Sequence, residues 1–350
     1  MEGVKQSCEE LMEVSRRCPG LTGLSNLGST CYMNAVLQCL CSLPPLLQHF
    51  LSGRHHAALH KENDESVTAF SWLMSDIWLG EYDCISPEVF HSVFEMRHPT
   101  FSKIAQQDAQ EFLICVLNEL HEALTNSSKR RRLTSAKGSK GSVSETSIIT
   151  KLFEGQLSYS ITCLECKTTI DRPESFTILS LPVPSKSVCS LQDCLKCFFQ
   201  QDILTWNNQI HCSSCGKKQD AVMNTTLTKT PEIIIFHLKR FEWQGKQRRK
   251  LSTNVHYPLS NLELSPYSSS LLCEGAEYSL CAVVNHSGFL ENGHYTAFCK
   301  RSGPDNWYSF DDAQITKIPK SSVQTDTAYL LFYTCEDHLS TYQKFACCGK

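Results

Sequence analysis

This sequence predicts an α+β fold. Helix-period apolar patterns fill the first third of the chain, and strand patterns rich in β-branched and aromatic residues come after Ile148. A polar, basic stretch separates the two regions. Helices first and strands later argue against a doubly wound sheet, in which the two would alternate. The chain has 350 residues, 41% hydrophobic and 20% charged, enough for a buried core and incompatible with disorder over most of its length.

Cys31 to Leu40 reads as a short helix stopped by Pro44 and Pro45. Val67, Phe70, Met74, Ile77 and Trp78 recur at helical spacing. Ser86-Pro87 has the chemistry of an N-cap followed by a first-turn proline. Between Asp108 and Leu124, Ala109, Phe112, Leu113, Val116, Leu120 and Leu124 share one apolar stripe. Asn126 to Ser144 is rich in Ser, Gly, Lys and Arg and has almost nothing to bury, so it reads as a flexible insert. Its KRRR run, Lys129 to Arg132, reads as solvated linker ahead of an import signal or a patch for an acidic partner. Strands are expected at Leu157–Thr162, Phe176–Leu181, Glu232–Lys239, Tyr278–His286, His294–Lys300, Trp307–Phe310 and Ala328–Thr334. One helix, Leu191 to Phe199, interrupts them.

Charge and hydropathy exclude some classes of function. The net charge is −3 and no expected element carries a basic stripe, so no nucleic-acid partner is expected. No apolar run approaches the ~18 residues that span a bilayer, so no membrane insertion is expected. The first twenty residues are charged and lack an apolar core, so no secretory signal is expected there. The 20 cysteines therefore point to a reduced compartment, where they serve as core residues, metal ligands or a nucleophile.

Three C-x-x-C pairs sort by context. Cys194 and Cys197 lie among Leu191, Leu195, Phe198 and Phe199 at helical spacing and read as core thiols. Cys163/Cys166 and Cys212/Cys215 sit at strand ends beside turn residues, where a tight turn aims both sulfurs at one centre. Two such knuckles supply four thiolates, the ligand set of a closed structural zinc site. His211 is adjacent but surplus to it.

The sharpest segment is GLSNLGSTCYMNAVLQCL, Gly23 to Leu40. A thiol at Cys31, where a helix begins, feels unpaired N–H groups and the positive end of the helix dipole, which favour the thiolate. On spacing alone a buried small hydrophobe is the favoured reading of Cys31. Asn26 can offer an amide to a developing oxyanion. A thiolate nucleophile wants an imidazole. His237 lies inside an apolar strand and reads as core, whereas His294 opens a strand after Glu291-Asn292-Gly293. Adjacent antiparallel strands would bring Asp311 beside it, fixing its tautomer through Nδ1–H; Asp312 is next door, and geometry from sequence does not choose between them.

The Gly23–Leu40 segment resembles the cysteine box of the ubiquitin-specific proteases, and NGHYTAFCK with NWYSFDD resembles their histidine box. QQDAQEFL (Gln106 to Leu113), FEGQL (Phe153 to Leu157) and IIIFHLKRF (Ile233 to Phe241) match further blocks of that family in order, covering Gly20 to Thr334. The resemblance implies a papain-like cysteine protease fold with a helical thumb, an antiparallel β palm and zinc-clipped β fingers. It implies a single catalytic domain over 20–335, with thumb about 20–125, basic insert 126–147, fingers about 153–230 and palm about 231–335. Residues 1–19 and 336–350 would be a short extension and a tail.

The resemblance implies Cys31 as nucleophile, His294 as general base, Asp311 as the third triad member, Asp312 as a supporting acid and Asn26 as oxyanion donor. It implies that Asp108, with Gln107, Gly293 and Tyr295, binds substrate; a carboxylate at Asp108 also suits a helix cap. Cys163, Cys166, Cys212 and Cys215 would hold structural Zn2+. His286 to Gly293 matches a loop that blocks the cleft before substrate binds. Ser29 departs from the asparagine usual two residues before the nucleophile. The expected activity is thiol-dependent hydrolysis after the C-terminal glycine of ubiquitin, on ubiquitinated proteins, by a monomer in the cytoplasm and also the nucleus. The alternatives are a catalytically weak or inactive ubiquitin-binding pseudoenzyme, and a zinc-ribbon protein reading nucleic acid through KRRR and the KQRRK run at Lys246 to Lys250.

Overall fold

A computed structural model describes residues 19–53, 65–135, 146–244, 247–269, 276–289, 292–301 and 306–336; for 126–135, 243–244 and 247–248 it describes the backbone alone. The chain divides into two compact units, one from residues 1–142 and 291–323, the other from 143–290 and 324–350. The strands between Gly293 and Ile318, assigned to the palm from sequence, thus group with the helices.

Among the described residues, five helices build the first unit: α1 (Cys31–Cys41), α2 (Pro44–Leu51), α3 (Glu65–Leu79), α4 (Glu88–Arg97) and α5 (Ala109–Ser135). Every residue of α1 is buried, as expected of a helix with elements packed on all sides. It lies against α5 and the strand Gly293–Lys300. An aromatic layer holds the helices together: Tyr32 meets Phe112 edge-on at 5.5 Å, Phe94 meets Phe112 at 5.1 Å, and Phe50 meets Phe70 at 5.0 Å. Three antiparallel strands, Gly293–Lys300, Trp307–Asp311 and Gln314–Ile318, belong to the same unit, as does a short parallel pair, Gly23–Leu24 with Cys84–Ile85.

Local chemistry explains where these elements differ from expectation. Pro44 and Pro45 do not merely stop α1; they form the first turn of α2, because a first-turn proline gives up no helical hydrogen bond. At α4 the cap position falls on Pro87, not Ser86, and no side chain caps it. Helix α5 runs to Ser135, so the first ten residues of the expected insert are helical. Lys, Arg and Leu there are good helix formers, and no glycine or proline intervenes before Gly138. The rest of the insert, 136–145, lies outside the described residues.

In the second unit a capping box at Ser147 opens α6 (Ile148–Phe153), and another at Ser190 opens α7 (Leu191–Phe199). One antiparallel sheet runs Thr169–Phe176, Gly155–Cys163, Ala221–Lys229, Asp202–Leu204. A second sheet places Ala328–Cys335, buried at every residue, between Glu277–Gly288 and Ile233–Lys239, with Leu179–Pro182 parallel at the far side. Strand Thr169–Phe176 was not expected. It is exposed along nearly its whole length and carries Pro173, so only pairing with Gly155–Cys163 identifies it. Of the basic KQRRK run, Lys250 donates to the carbonyls of His286 at 2.6 Å and Gly288 at 3.2 Å, a structural duty.

Candidate active site

All five residues expected to carry chemistry fall in the first unit. The loop before α1 is organised by Asn26, whose Oδ1 accepts the N–H of Gly28 at 2.9 Å and of Thr30 at 3.2 Å. Gly28 sits at φ +145°, where a Cβ would come within 2.6 Å of the Lys103 carbonyl, so the loop can lie flat on the segment ahead of α5. The turn delivers Cys31 to the first position of α1.

The thiol is 2% exposed, and its environment does not give the resting thiolate expected of a helix N-terminus. Burial pushes the Cys31 thiol up. The Tyr295 backbone N–H, the Gln106 side chain and the Tyr32 N–H oppose that shift, and the Asp312 carboxylate adds to it. Burial wins, so the resting group is the neutral thiol.

His294 stands on the strand Gly293–Lys300, which alternates buried Tyr295, Ala297 and Cys299 with half-exposed His294, Thr296 and Phe298. Ala297 pairs with Phe310, which sets Asp311 diagonally across from His294 on one face. The Asp311 Oδ1 lies 2.6 Å from His294 Nε2. The expected contact was at Nδ1; with Nε2 engaged, Nδ1 is the ring nitrogen left to exchange a proton with another group.

Asp312 sits at φ +49° on the turn after that strand pair. Its carboxylate accepts the Asn26 Nδ2 at 2.9 Å through one oxygen and the Asn34 Nδ2 at 2.8 Å through the other. The two aspartates therefore divide their work: Asp311 meets the imidazole, and Asp312 anchors Asn26, whose amide retains a second hydrogen. Asn34, buried on α1, was not singled out from sequence. His294, Asp311 and Asp312 bring their donor atoms within 4.8 Å of one another, a grouping that these hydrogen bonds account for.

The residues expected to bind substrate separate. Asp108 accepts the Gln110 N–H at 2.7 Å and caps α5. The Tyr295 side chain is buried on the face away from His294, and its backbone N–H serves the thiol. A cleft of about 530 Å³ is lined by Ser29, Ile104, Ala105, Gln106, Asn292 and Gly293. Gly293 is in that wall and Gln107 is not; its neighbour Gln106 is the glutamine that faces the thiol, 3.5 Å away through Nε2. The repeated Gln-Gln pair carries no periodic signal from which to choose between them.

In the second unit, Cys163, Cys166, Cys212 and Cys215 converge with all four sulfurs within 4.8 Å of one another. Cys166 Sγ lies 3.5 Å from Cys212 Sγ, and Cys163 Sγ 4.0 Å from Cys215 Sγ, far beyond the ~2.05 Å of a disulfide. Sulfurs about 2.3 Å from a tetrahedral ion are about 3.8 Å apart, so the cluster can hold one metal ion. Gly216 at φ +68° turns the second knuckle. Cys194 is fully buried on α7, 3.9 Å from Cys189 Sγ and apart from this cluster, as expected of a core thiol, whereas Cys197, one turn on, is half-exposed.

The fold is that of a papain-like domain, with the cysteine, histidine and aspartate of the site in its first unit. Residues 22–333 match the family model described as ubiquitin carboxyl-terminal hydrolase, and the chain belongs to that family. Human ubiquitin carboxyl-terminal hydrolase 2 is 34% identical over 338 residues, spanning 91% of this chain and 56% of its own. The Gallus gallus protein of that name is 35% identical over 342 residues, spanning 91% of this chain and 94% of its own. The chain thus spans just over half the length of the human relative. Among solved structures, a SAGA Ubp8/Sgf11/Sus1/Sgf73 DUB module bound to ubiquitin aldehyde matches with TM-score 0.76 and 27% identity, over 92% of this chain and 71% of the other. The same module bound to monoubiquitin matches with TM-score 0.77 and 26% identity, over 96% and 75%.

Proposed function

We propose that this protein is a thiol-dependent deubiquitinase that hydrolyses the isopeptide or peptide bond after the C-terminal glycine of ubiquitin. The observation that carries this reading is the 2.6 Å contact between Asp311 and His294 Nε2, on a strand whose next N–H, from Tyr295, is directed at the Cys31 thiol. In the reaction, Cys31 Sγ attacks the carbonyl carbon of the terminal glycine as its proton passes to His294 Nδ1. Asp311 orients the ring and stabilises the imidazolium. The free hydrogen of Asn26 Nδ2, held in place by Asp312, stabilises the oxyanion. His294 then protonates the departing lysine amine, leaving a thioester. Water, deprotonated by His294, cleaves that thioester and returns the thiol.

Asp108 would face the extended tail of ubiquitin while capping α5, and Gly293 would line its path. The four-cysteine cluster would hold Zn2+, whose chemistry there is structural: it ties two hairpins together. Ubiquitinated proteins are the substrates of this reading, the monomer its working form, and the cytoplasm and nucleus its location; no helix among the described residues is long and apolar enough to cross a membrane.

The burial of Cys31 favours a second reading, in which the domain binds ubiquitin and turns over weakly. Hydrolysis of a fluorogenic amide on the ubiquitin C-terminus separates the two. The enzyme reading expects turnover that Cys31→Ala abolishes and Asp311→Asn lowers by about 10²-fold or more. Saturable ubiquitin binding with no turnover establishes the second.

A further inference from the structure

We infer that Gln106 is a further catalytic residue, a hydrogen-bond donor to the Cys31 sulfur that also clamps the peptide preceding His294. This inference rests on Cys31 as nucleophile.

The Gln106 carboxamide is satisfied at every position that matters. Its Oε1 accepts the Gly293 N–H at 2.8 Å. Its Nε2 donates to the Gly293 carbonyl and also to Cys31 Sγ at 3.5 Å. An amide nitrogen has two hydrogens, and each here has one acceptor. The side chain is half-buried in the cleft wall, and Gly293 is directly bonded to His294, so one group joins the thiol to the strand that carries the imidazole.

The consequence is electrostatic. When the thiol proton leaves, a negative charge forms in a site where burial disfavours it and Asp312 repels it. An N–H already aimed at the sulfur stabilises the anion more than the neutral thiol, without reorganising. Two substitutions discriminate this role from simple filling. Gln106→Glu has the same shape and still accepts the Gly293 N–H, but donates to neither the sulfur nor the carbonyl and adds a like charge. Gln106→Met has similar length and no hydrogen bonds. A filling role treats glutamate as the mildest change, whereas a donor role makes it the worst.

The test is the pH dependence of iodoacetamide alkylation at the Cys31 peptide, followed by mass spectrometry on the full chain, with thermal melts to confirm folding. The midpoint is expected to rise by about one pH unit in Gln106→Met, a tenfold slower reaction below the midpoint, and further in Gln106→Glu. The high-pH plateau rate is expected to stay within about twofold, because access is unchanged. Midpoints within 0.3 unit of the unmodified protein in folded variants, or a lower midpoint in Gln106→Glu, overturn the assignment. Alkylation needs no ubiquitin, so a chain that fails to hydrolyse ubiquitin conjugates but shows the midpoint order contradicts the proposed function and leaves Gln106 as donor. Should Gln106→Glu not fold, Gln106→Met against the unmodified protein decides alone.

Discussion

A thiol at a helix N-terminus is the standard sequence argument for an activated cysteine, and Cys31 shows what that argument leaves out. The dipole and the donors are present, yet a side chain 2% exposed loses more by desolvation than they return. A raised thiol value means the neutral form dominates at pH 7, so in the proposed reaction His294 acts as a base during attack. Cys31 alkylation is therefore expected to climb about tenfold per pH unit through neutrality, with a midpoint above the ordinary thiol value of ~8.5. A midpoint at or below pH 7 would show a preformed thiolate–imidazolium pair instead. Candidates such as Cys31, His294 and Asp311 could be singled out because their neighbours form recognisable blocks. Which ring nitrogen meets Asp311, and which of Gln106 and Gln107 faces the thiol, were not, since both depend on strand register and turn geometry.

At the scale of elements, periodicity was a good guide where burial is one-sided or complete. Leu191–Phe199 was expected and found over the same residues, because its apolar spacing and the Ser190 cap agree. Thr169–Phe176 escaped because an exposed, charged strand has no alternation to read. The cysteine knuckles were legible for another reason: spacing and turn residues encode their geometry within a few positions, although 46 residues separate the sulfurs of Cys166 and Cys212. Cys166 is held low, to about 6, chiefly by the Thr168 hydroxyl and backbone, while the neighbouring sulfurs push Cys215 up to about 12. Metal analysis of the purified chain is expected to find one zinc, and Cys163→Ser to lose it with a fall in melting temperature. A metal-free chain that melts as the unmodified protein does would remove zinc from the account.

For the whole molecule, five motif blocks in order outweigh any one of them, since each alone has a structural explanation: Asn26 builds a turn, Asp108 caps a helix, and Cys31 is buried like most core thiols. What joins Asn26, Asp108 and Cys31 to His294 and Asp311 is that all five lie in one unit of the fold, with Asp312 anchoring the Asn26 and Asn34 amides and Asp311 the imidazole. The most direct test is covalent capture by ubiquitin bearing a C-terminal electrophile, read by intact mass. A single adduct that maps to Cys31, disappears in Cys31→Ala and weakens in His294→Ala is the predicted result. A folded chain that binds ubiquitin yet forms no adduct, or one that maps to another cysteine, would contradict it.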